Sequence, residues 1–320
     1  MIGMPVGPRL RLQSRNWRAE IAPFAGGRLT RLDWLGGGPP VAVIVPWPDD
    51  AAFDPHAWPK AGAFPMLPFS NRLAGGRFTW DGQAVQLDTA PGSSDALHGV
   101  AHRMRWEVDS ACDSSASLRY RHLPGTGGWP WPFEAALGVA LRSEDTEVRL
   151  SMRNIGDVAA PAGLGWHPYH PFPHGAAALS FAAGPGHPVG LLGIDTSPET
   201  QAAKLLGHRL NAELLRSQTT AFESWQGTFT LRLDKTHWLV AESTGCPHLV
   251  LHIPAATGPA PDYVCVEPVT LLPGTLNREQ ANAGVANIGL VPGGVRTMSW
   301  RCRIADRLNG GTSRNQQEET

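Results

Sequence analysis

Two residues of this chain stand in settings suited to proton transfer. His167 lies in Gly165-Trp166-His167-Pro168-Tyr169-His170-Pro171-Phe172, an imidazole held among prolines and aromatics. Proline fixes φ and has no N–H to give to a helix or a ladder, so each X-Pro pair reads as extended or turn chain. The segment is therefore stiff and non-helical. It is expected to be a loop whose backbone sets the ring directions of His167 and His170, as a catalytic or ligand-holding group requires. The competing reading is a hydrogen-bonded histidine with a structural role. Glu267, within Tyr263-Val264-Cys265-Val266-Glu267-Pro268-Val269, is either a strand residue facing solvent or a carboxyl in an apolar wall. Periodicity alone favours solvent, whereas a walled-in carboxyl would be raised toward the range of a general base. Pro268 suggests that this strand ends or lies at a sheet edge there.

Other candidates come earlier in the chain. Asn71 and Arg72 end a proline-broken apolar segment, residues 63–73, just before a hairpin that could aim Arg72 into a cleft. A surface arginine capping a loop is the alternative. His98 is followed by Gly99, which permits close approach of backbone and ligand. A metal centre is a rival reading, because His167, His170 and His174 make an H-x2-H-x3-H pattern and imidazole is a common ligand. The intervening prolines forbid the helical spacing that would bring them together, and no carboxylate is local, so no metal is expected. Cys265 shares a strand face with Glu267, two residues on. It has no base beside it and reads as a small buried hydrophobe.

The elements that must position these groups read as short strands. With 36 Gly, 29 Pro and only 17% charged residues among 320, the chain is poor in helix-forming stretches and rich in turns. Leu10-Arg11-Leu12 and Gly27-Arg28-Leu29-Thr30-Arg31-Leu32 open a sheet. Arg77-Phe78-Thr79-Trp80 and Val85-Gln86-Leu87 flank an Asp81-Gly82 hairpin turn. Strand patterns recur at residues 105–108, 117–120, 147–153, 229–233, 248–253, 263–269 and 297–304, and residues 199–215 could hold one or two helical turns. Trp129-Pro130-Trp131-Pro132-Phe133 reads as core or loop packing, although tryptophan faces also stack on sugars. The expectation is one all-β domain over residues 1–308 and a polar, disordered tail over residues 309–320.

Charge and cysteine content exclude several functions. Net charge is -1, from 27 basic and 28 acidic residues without long runs of either sign, which argues against nucleic acid or an anionic membrane as partner. Cys112, Cys246, Cys265 and Cys302 are scattered without metal spacing. No leader pattern and no membrane-crossing stretch is evident. A reduced, soluble, cytoplasmic protein is expected, as a monomer or homodimer.

Taken together, the motifs resemble one family. Pro68-Phe69-Ser70-Asn71-Arg72 with Gly75-Gly76-Arg77-Phe78, then Leu97-His98-Gly99, Gly165-Trp166-His167-Pro168-Tyr169, and Val266-Glu267-Pro268 with Leu276-Asn277, are similar in type and order to the aldose 1-epimerase (galactose mutarotase) family. The resemblance spans about residues 8–305. It implies a large antiparallel β-sandwich with few short helices, no cofactor, and a small-molecule aldose as the partner. It also implies that Glu267 is the base and His167 the acid in opening a hemiacetal ring, and that Arg72, His98, Asn71 and Tyr169 bind the sugar. Two departures stand out. Relatives carry an acid just before the residue aligned with Phe222, where this chain has Thr219-Thr220-Ala221-Phe222-Glu223, so that contact is missing, shifted to Glu223 or replaced by threonine. His170 stands where relatives usually have phenylalanine. No basic cluster suited to a phosphorylated hexose is evident, so an unphosphorylated sugar is expected. A sugar-binding protein without turnover and a hexose-6-phosphate epimerase are the alternatives.

Overall fold

Period-two alternation dominates the chain and builds two large sheets. Thr146–Asn154 shows the rule: Val148, Leu150 and Met152 are buried while Arg149 and Arg153 between them are exposed. The computed structural model describes residues 4–172, 178–190, 193–194, 218–254, 263–278 and 288–305. Within these, one sheet has eleven strands and the other eight. Every strand pair between them is antiparallel, and helix is confined to short turns such as Ala101–Arg103. The many short strands expected from composition, and the antiparallel β-sandwich that the resemblance implies, are the observed architecture. Among the described residues no helix is long and apolar enough to cross a membrane. The helical turns expected at residues 199–215, the tail at 309–320 and His174 lie outside the described residues.

Across the middle of the larger sheet run Arg28–Trp34, Ala63–Met66, Gly165–Pro171, Tyr263–Val269, His248–Ile253 and Gln218–Phe222, in that spatial order. One face of this sheet packs on the smaller one. Trp166, Phe222, Leu249, Leu251, Val264 and Val266 meet Leu137, Leu150 and Trp300 there. The opposite face carries the alternate residues Phe64, Tyr169, Ala221, Val250, Cys265 and Val269, clustered with Trp47, Phe53 and Trp58. Side chains on a strand alternate between faces, so His167 and Glu267 share this second face.

Two expectations about these strands need correction. Gly165–Pro171 is a central strand, not a loop, because apolar partners bury its side chains on both faces. Tyr263–Val269 neither ends at Pro268 nor lies at an edge; it pairs with Gly165–Pro171 on one side and with His248–Ile253 on the other. The other elements follow the sequence closely. Asp81 (φ 48°) and Gly82 (φ 73°) turn Arg77–Trp80 back onto Gln83–Gln86 with the positive φ pair of a tight hairpin. Trp129 is core, stacked on Phe78 at 5.6 Å.

The Leu97-His98-Gly99 corner is pinned to the chain beside Leu67. Gly99 has φ +74°, and a Cβ there would lie 2.0 Å from the Leu67 carbonyl oxygen. That oxygen also accepts the Val100 N–H at 2.9 Å. Gly99→Ala should therefore destabilise the fold by about 1–3 kcal/mol, the scale of one forced backbone conformation. A urea midpoint equal to that of the parent protein would refute this close approach.

Candidate active site

Strand register brings the two proton-transfer candidates together. Gly165 stands opposite Val269 and Tyr169 opposite Cys265, which places His167 opposite Glu267. Pro168 and Pro268, each lacking an N–H, fall in the same stretch of ladder, where backbone pairing gives way to side-chain contact. His167 Nε2 lies 3.3 Å from Glu267 Oε1. The two residues are 5% and 1% exposed, so the solvent-facing reading of Glu267 is overturned.

Burial sets their proton affinities. It pushes the Glu267 carboxyl up to about 8. It also holds His167 well below the usual imidazole range, with help from neighbouring positive groups including Arg28 and Lys60. Both shifts express one fact: a low-dielectric floor disfavours the ion pair. The pair keeps one proton in either form, as carboxylic acid with neutral imidazole or as carboxylate with imidazolium. Among the described residues, Glu267 Oε2 and His167 Nδ1 have no hydrogen-bond partner.

The remaining candidates are arranged around this pair. His98 has a left-handed backbone (φ 60°) and exchanges bonds with Asn71: its N–H donates to the Asn71 carbonyl at 2.8 Å, and its Nδ1 accepts the Asn71 N–H at 3.2 Å. An accepting Nδ1 leaves the proton on Nε2. Burial keeps the ring neutral, and it stands edge-on to His167 with centroids 4.8 Å apart. Asn71 Oδ1 accepts the Arg72 N–H at 2.8 Å. The Arg72 guanidinium donates to Asp95 at 2.6 Å. Asp95 is held below the usual carboxylate range by the Gly75 N–H and then by Arg72. Tyr169 accepts the indole N–H of Trp58 at 3.1 Å.

All six sequence-selected residues line one cavity of about 220 Å³, together with Trp58, Lys60, Thr219, His252 and Tyr263. Thr219 falls under the threonine alternative weighed for that segment; the other four were not foreseen. Trp58 and Lys60 come from an irregular connection without periodicity. His252 was visible only as an alternate residue of a strand, and its Nδ1 meets Thr219 Oγ1 at 2.9 Å. The acid expected before Phe222 is replaced: Ala221 is fully buried, Glu223 pairs with His187 at 3.3 Å, and Thr219 is the member of that segment lining the cavity. A larger depression of about 390 Å³ on the outer face of the smaller sheet holds Glu147. That acid is committed to Arg142 and Arg149, so the chemistry points to the smaller cavity.

His170 does not belong to the site. It faces the inter-sheet core between Phe229 and Trp300, with Nδ1 2.7 Å from the Val43 carbonyl. Three positions along a strand reverse the face, so His167 and His170 cannot share a metal. Among the described residues, His167, Cys265 and Glu267 bring donor atoms within 4.8 Å of one another. Burial keeps the Cys265 thiol well above its usual pKa.

Behind the floor lies an unforeseen cation. Arg28 is fully buried with no hydrogen bond from its guanidinium, which sits 4.2 Å from the centroid of Phe64 and within 5.6 Å of the rings of Trp47, Phe53 and Trp58. Burial lowers its pKa to about 9. Cation–π contacts offset part of that desolvation, at up to about 2 kcal/mol each. Phe64 also stacks on His167 at 4.5 Å, which links this buried charge to the face that carries the His167–Glu267 pair.

Comparison with known proteins gives the family and the fold. The aldose 1-epimerase family model matches residues 8–302. The Escherichia coli K12 protein YphB, described as uncharacterized, is 28% identical over 259 residues, covering 76% of this chain and 84% of its own. The fold is shared with a GalM/aldose epimerase homologue from C. elegans (TM-score 0.75, 14% identity, 94% of this chain and 99% of the other). It is also shared with galactose 1-epimerase from Lactobacillus acidophilus (TM-score 0.72, 16% identity, 94% and 95%).

The tautomer and charge assignments are open to direct measurement. Long-range ¹H–¹⁵N spectra should show His98 as the Nε2–H tautomer. Neither His98 nor His167 should titrate between pH 6.5 and 8, because both are held below the usual imidazole range. An imidazolium signal from either ring at pH 7 in the free protein would contradict this.

Proposed function

The chain belongs to the aldose 1-epimerase family, and on that premise we propose that it interconverts the α and β anomers of a free aldose by ring opening and reclosure. The observation that supports this reading is the buried cross-strand pair, Glu267 against His167 at 3.3 Å. Opening a hemiacetal takes the proton from the anomeric hydroxyl O1 and gives one to the ring oxygen O5, while the C1–O5 bond breaks and C1=O1 forms. O1 and O5 are bonded to the same carbon, so an acid and a base in contact can serve both. Carboxylate Glu267 takes the O1 proton and imidazolium His167 protonates O5. The pair is left as carboxylic acid and neutral imidazole, the form that burial favours in the empty site. Rotation about C1–C2 presents the other carbonyl face, and reclosure returns both protons with the roles reversed.

The surroundings support the same reading. The donating Nε2 of His98 faces sugar oxygens, while Arg72, fixed by Asp95 and Asn71, and Tyr169, fixed by Trp58, hold hydroxyls. Orientation of this kind accounts for much of the rate in reactions of small flexible substrates. The sugar's hydroxyls also bring polar partners to Glu267 Oε2 and His167 Nδ1, which lowers the cost of the ion-pair form.

Polarimetry of freshly dissolved α-D-glucose and α-D-galactose should show faster approach to equilibrium with the protein present. Glu267→Gln keeps the shape and removes the base, so kcat should fall by about 10²–10⁴-fold, the usual contribution of general acid–base catalysis. Retention of the parent rate in this variant would sink the assignment of the base.

The pH profile follows from the same pair. Glu267 is raised to about 8, so the singly protonated pair persists up to that pH. Above it the carboxylate remains but no proton is left for His167 to give, and kcat/KM should fall by about tenfold per pH unit. His167 is lowered, so a second proton enters only well below the usual imidazole range and the rate stays level through neutrality. A profile rising steadily above pH 8, after subtraction of the hydroxide-catalysed background, would contradict this.

A further inference from the structure

Building on the epimerase reading, we infer that the substrate is an aldose bearing a single negative charge remote from C1, a hexuronate being the simplest case, and that Lys60 is the residue that selects it. Lys60 lines the cavity of His167 and Glu267. It lies at the exposed edge of that cavity, with its ammonium 5.4 Å from the centroid of the Trp58 ring. Among the described residues no hydrogen bond or ion pair engages that ammonium.

The other charges of the cavity are spoken for. Arg72 is matched by Asp95 at 2.6 Å. Burial keeps His98, His167 and His252 neutral and keeps the Glu267 carboxyl protonated near pH 7. Strand Gln218–Phe222 contributes Thr219 to the wall, Ala221 two residues on is buried away from it, and the nearby acid Glu223 is turned to His187. The Lys60 ammonium is thus the one uncompensated full charge among the described lining residues. Its field reaches His98, His167, His252 and Cys265 alike, which places it over the cavity rather than away from it.

Position and valence narrow the ligand. The reacting carbon must sit on the buried pair, so a group that meets Lys60 at the rim is carried on a distant carbon. One ammonium matches one negative charge. A carboxylate satisfies it, whereas a phosphate dianion would leave a charge without a partner in a partly desolvated cleft. The Thr219–His252 pair and Tyr263 line the same cavity and offer neutral hydrogen-bonding groups to the oxygens of such an anion.

The test compares kcat/KM for D-glucose, D-glucuronate and D-glucose 6-phosphate, read by exchange NMR of the two anomers, in the parent protein and in Lys60→Met. Methionine keeps the length of the aliphatic stem and removes the charge. The parent should favour glucuronate over glucose by about tenfold, the scale of one charge-assisted hydrogen bond, and the ratio should shrink to about twofold or less in the variant. The preference should also weaken with added salt. A parent that favours glucose, a ratio unchanged in Lys60→Met, or a preference for glucose 6-phosphate over glucuronate would each overturn the inference. If no sugar is turned over, the epimerase reading fails on its own. Calorimetric affinities for the same three sugars still decide the charge preference, and equal affinities would refute it.

Discussion

Everything in this site depends on one proton held between His167 and Glu267 on a nearly dry floor. Two formal charges there would cost several kcal/mol to desolvate, a large fraction of the net stability of a domain. The neutral form, carboxylic acid beside imidazole, avoids most of that cost, and in the proposed reaction it is also the state left after ring opening. The same burial that makes the pair tolerable in the empty protein therefore places it within one proton shift of its reactive form. Opening and reclosure then differ in direction rather than in machinery.

Holding such a pair requires a rigid support, and the larger sheet supplies it. Parity along Gly165–Pro171 and Tyr263–Val269 sends Val264, Val266 and Trp166 into the inter-sheet core and sends His167, Tyr169, Cys265 and Glu267 to the other face. Slipping the register by one residue would exchange those sets, so the apolar core that stabilises the sandwich also fixes the geometry of the His167–Glu267 pair. The prolines after His167 and Glu267 add a local constraint. They fix φ and remove N–H groups where side chains, not backbone, must meet. The left-handed backbone of His98 and the glycine behind it are a second such device, aiming a neutral donor at the same point.

Much of this was legible in the sequence, and the failures have physical causes. Alternation located Thr146–Asn154, largely apolar runs located His248–Ile253 and Tyr263–Val269, and Asp81-Gly82 announced its hairpin. Local rules misled at Pro168 and Pro268, because proline's exclusion from central strands assumes that every ladder position must be paired. They also misled at Glu267, whose burial is imposed by strands on both sides rather than by its own neighbours. Arg28 sits in a strand segment that reads as polar, yet four aromatic rings from residues 47–64 enclose it. Lys60 and Trp58 were silent for the converse reason: an irregular connection carries no period, and its route across the sheet is decided by packing at long range. His170 shows the limit of motif spacing. Three positions apart looks like a cluster in one dimension and becomes opposite faces in a strand.

Proton affinity and net charge are separated in space within this cavity. On the floor, desolvation acts over a few ångströms and decides which atom holds the proton. At the rim, the exposed ammonium of Lys60 acts through a longer-ranged, salt-screened field that falls off within about 10 Å at ordinary ionic strength. A charge that strong on the floor would drive Glu267 to carboxylate and strip the pair of the proton it needs. Kept at the rim, it can favour an anion's approach and orientation while perturbing the pair only at the edge of its range. Arg28 is the exception that tests this division. It is close to His167 through Phe64 but enclosed by π faces, which spread and oppose its charge, and its own pKa lowered to about 9 registers how costly that placement is. Among the described residues around this cavity, the buried cation Arg28 is masked by aromatics and the exposed cation Lys60 is left open, and in the proposed reading it is Lys60 that meets the substrate.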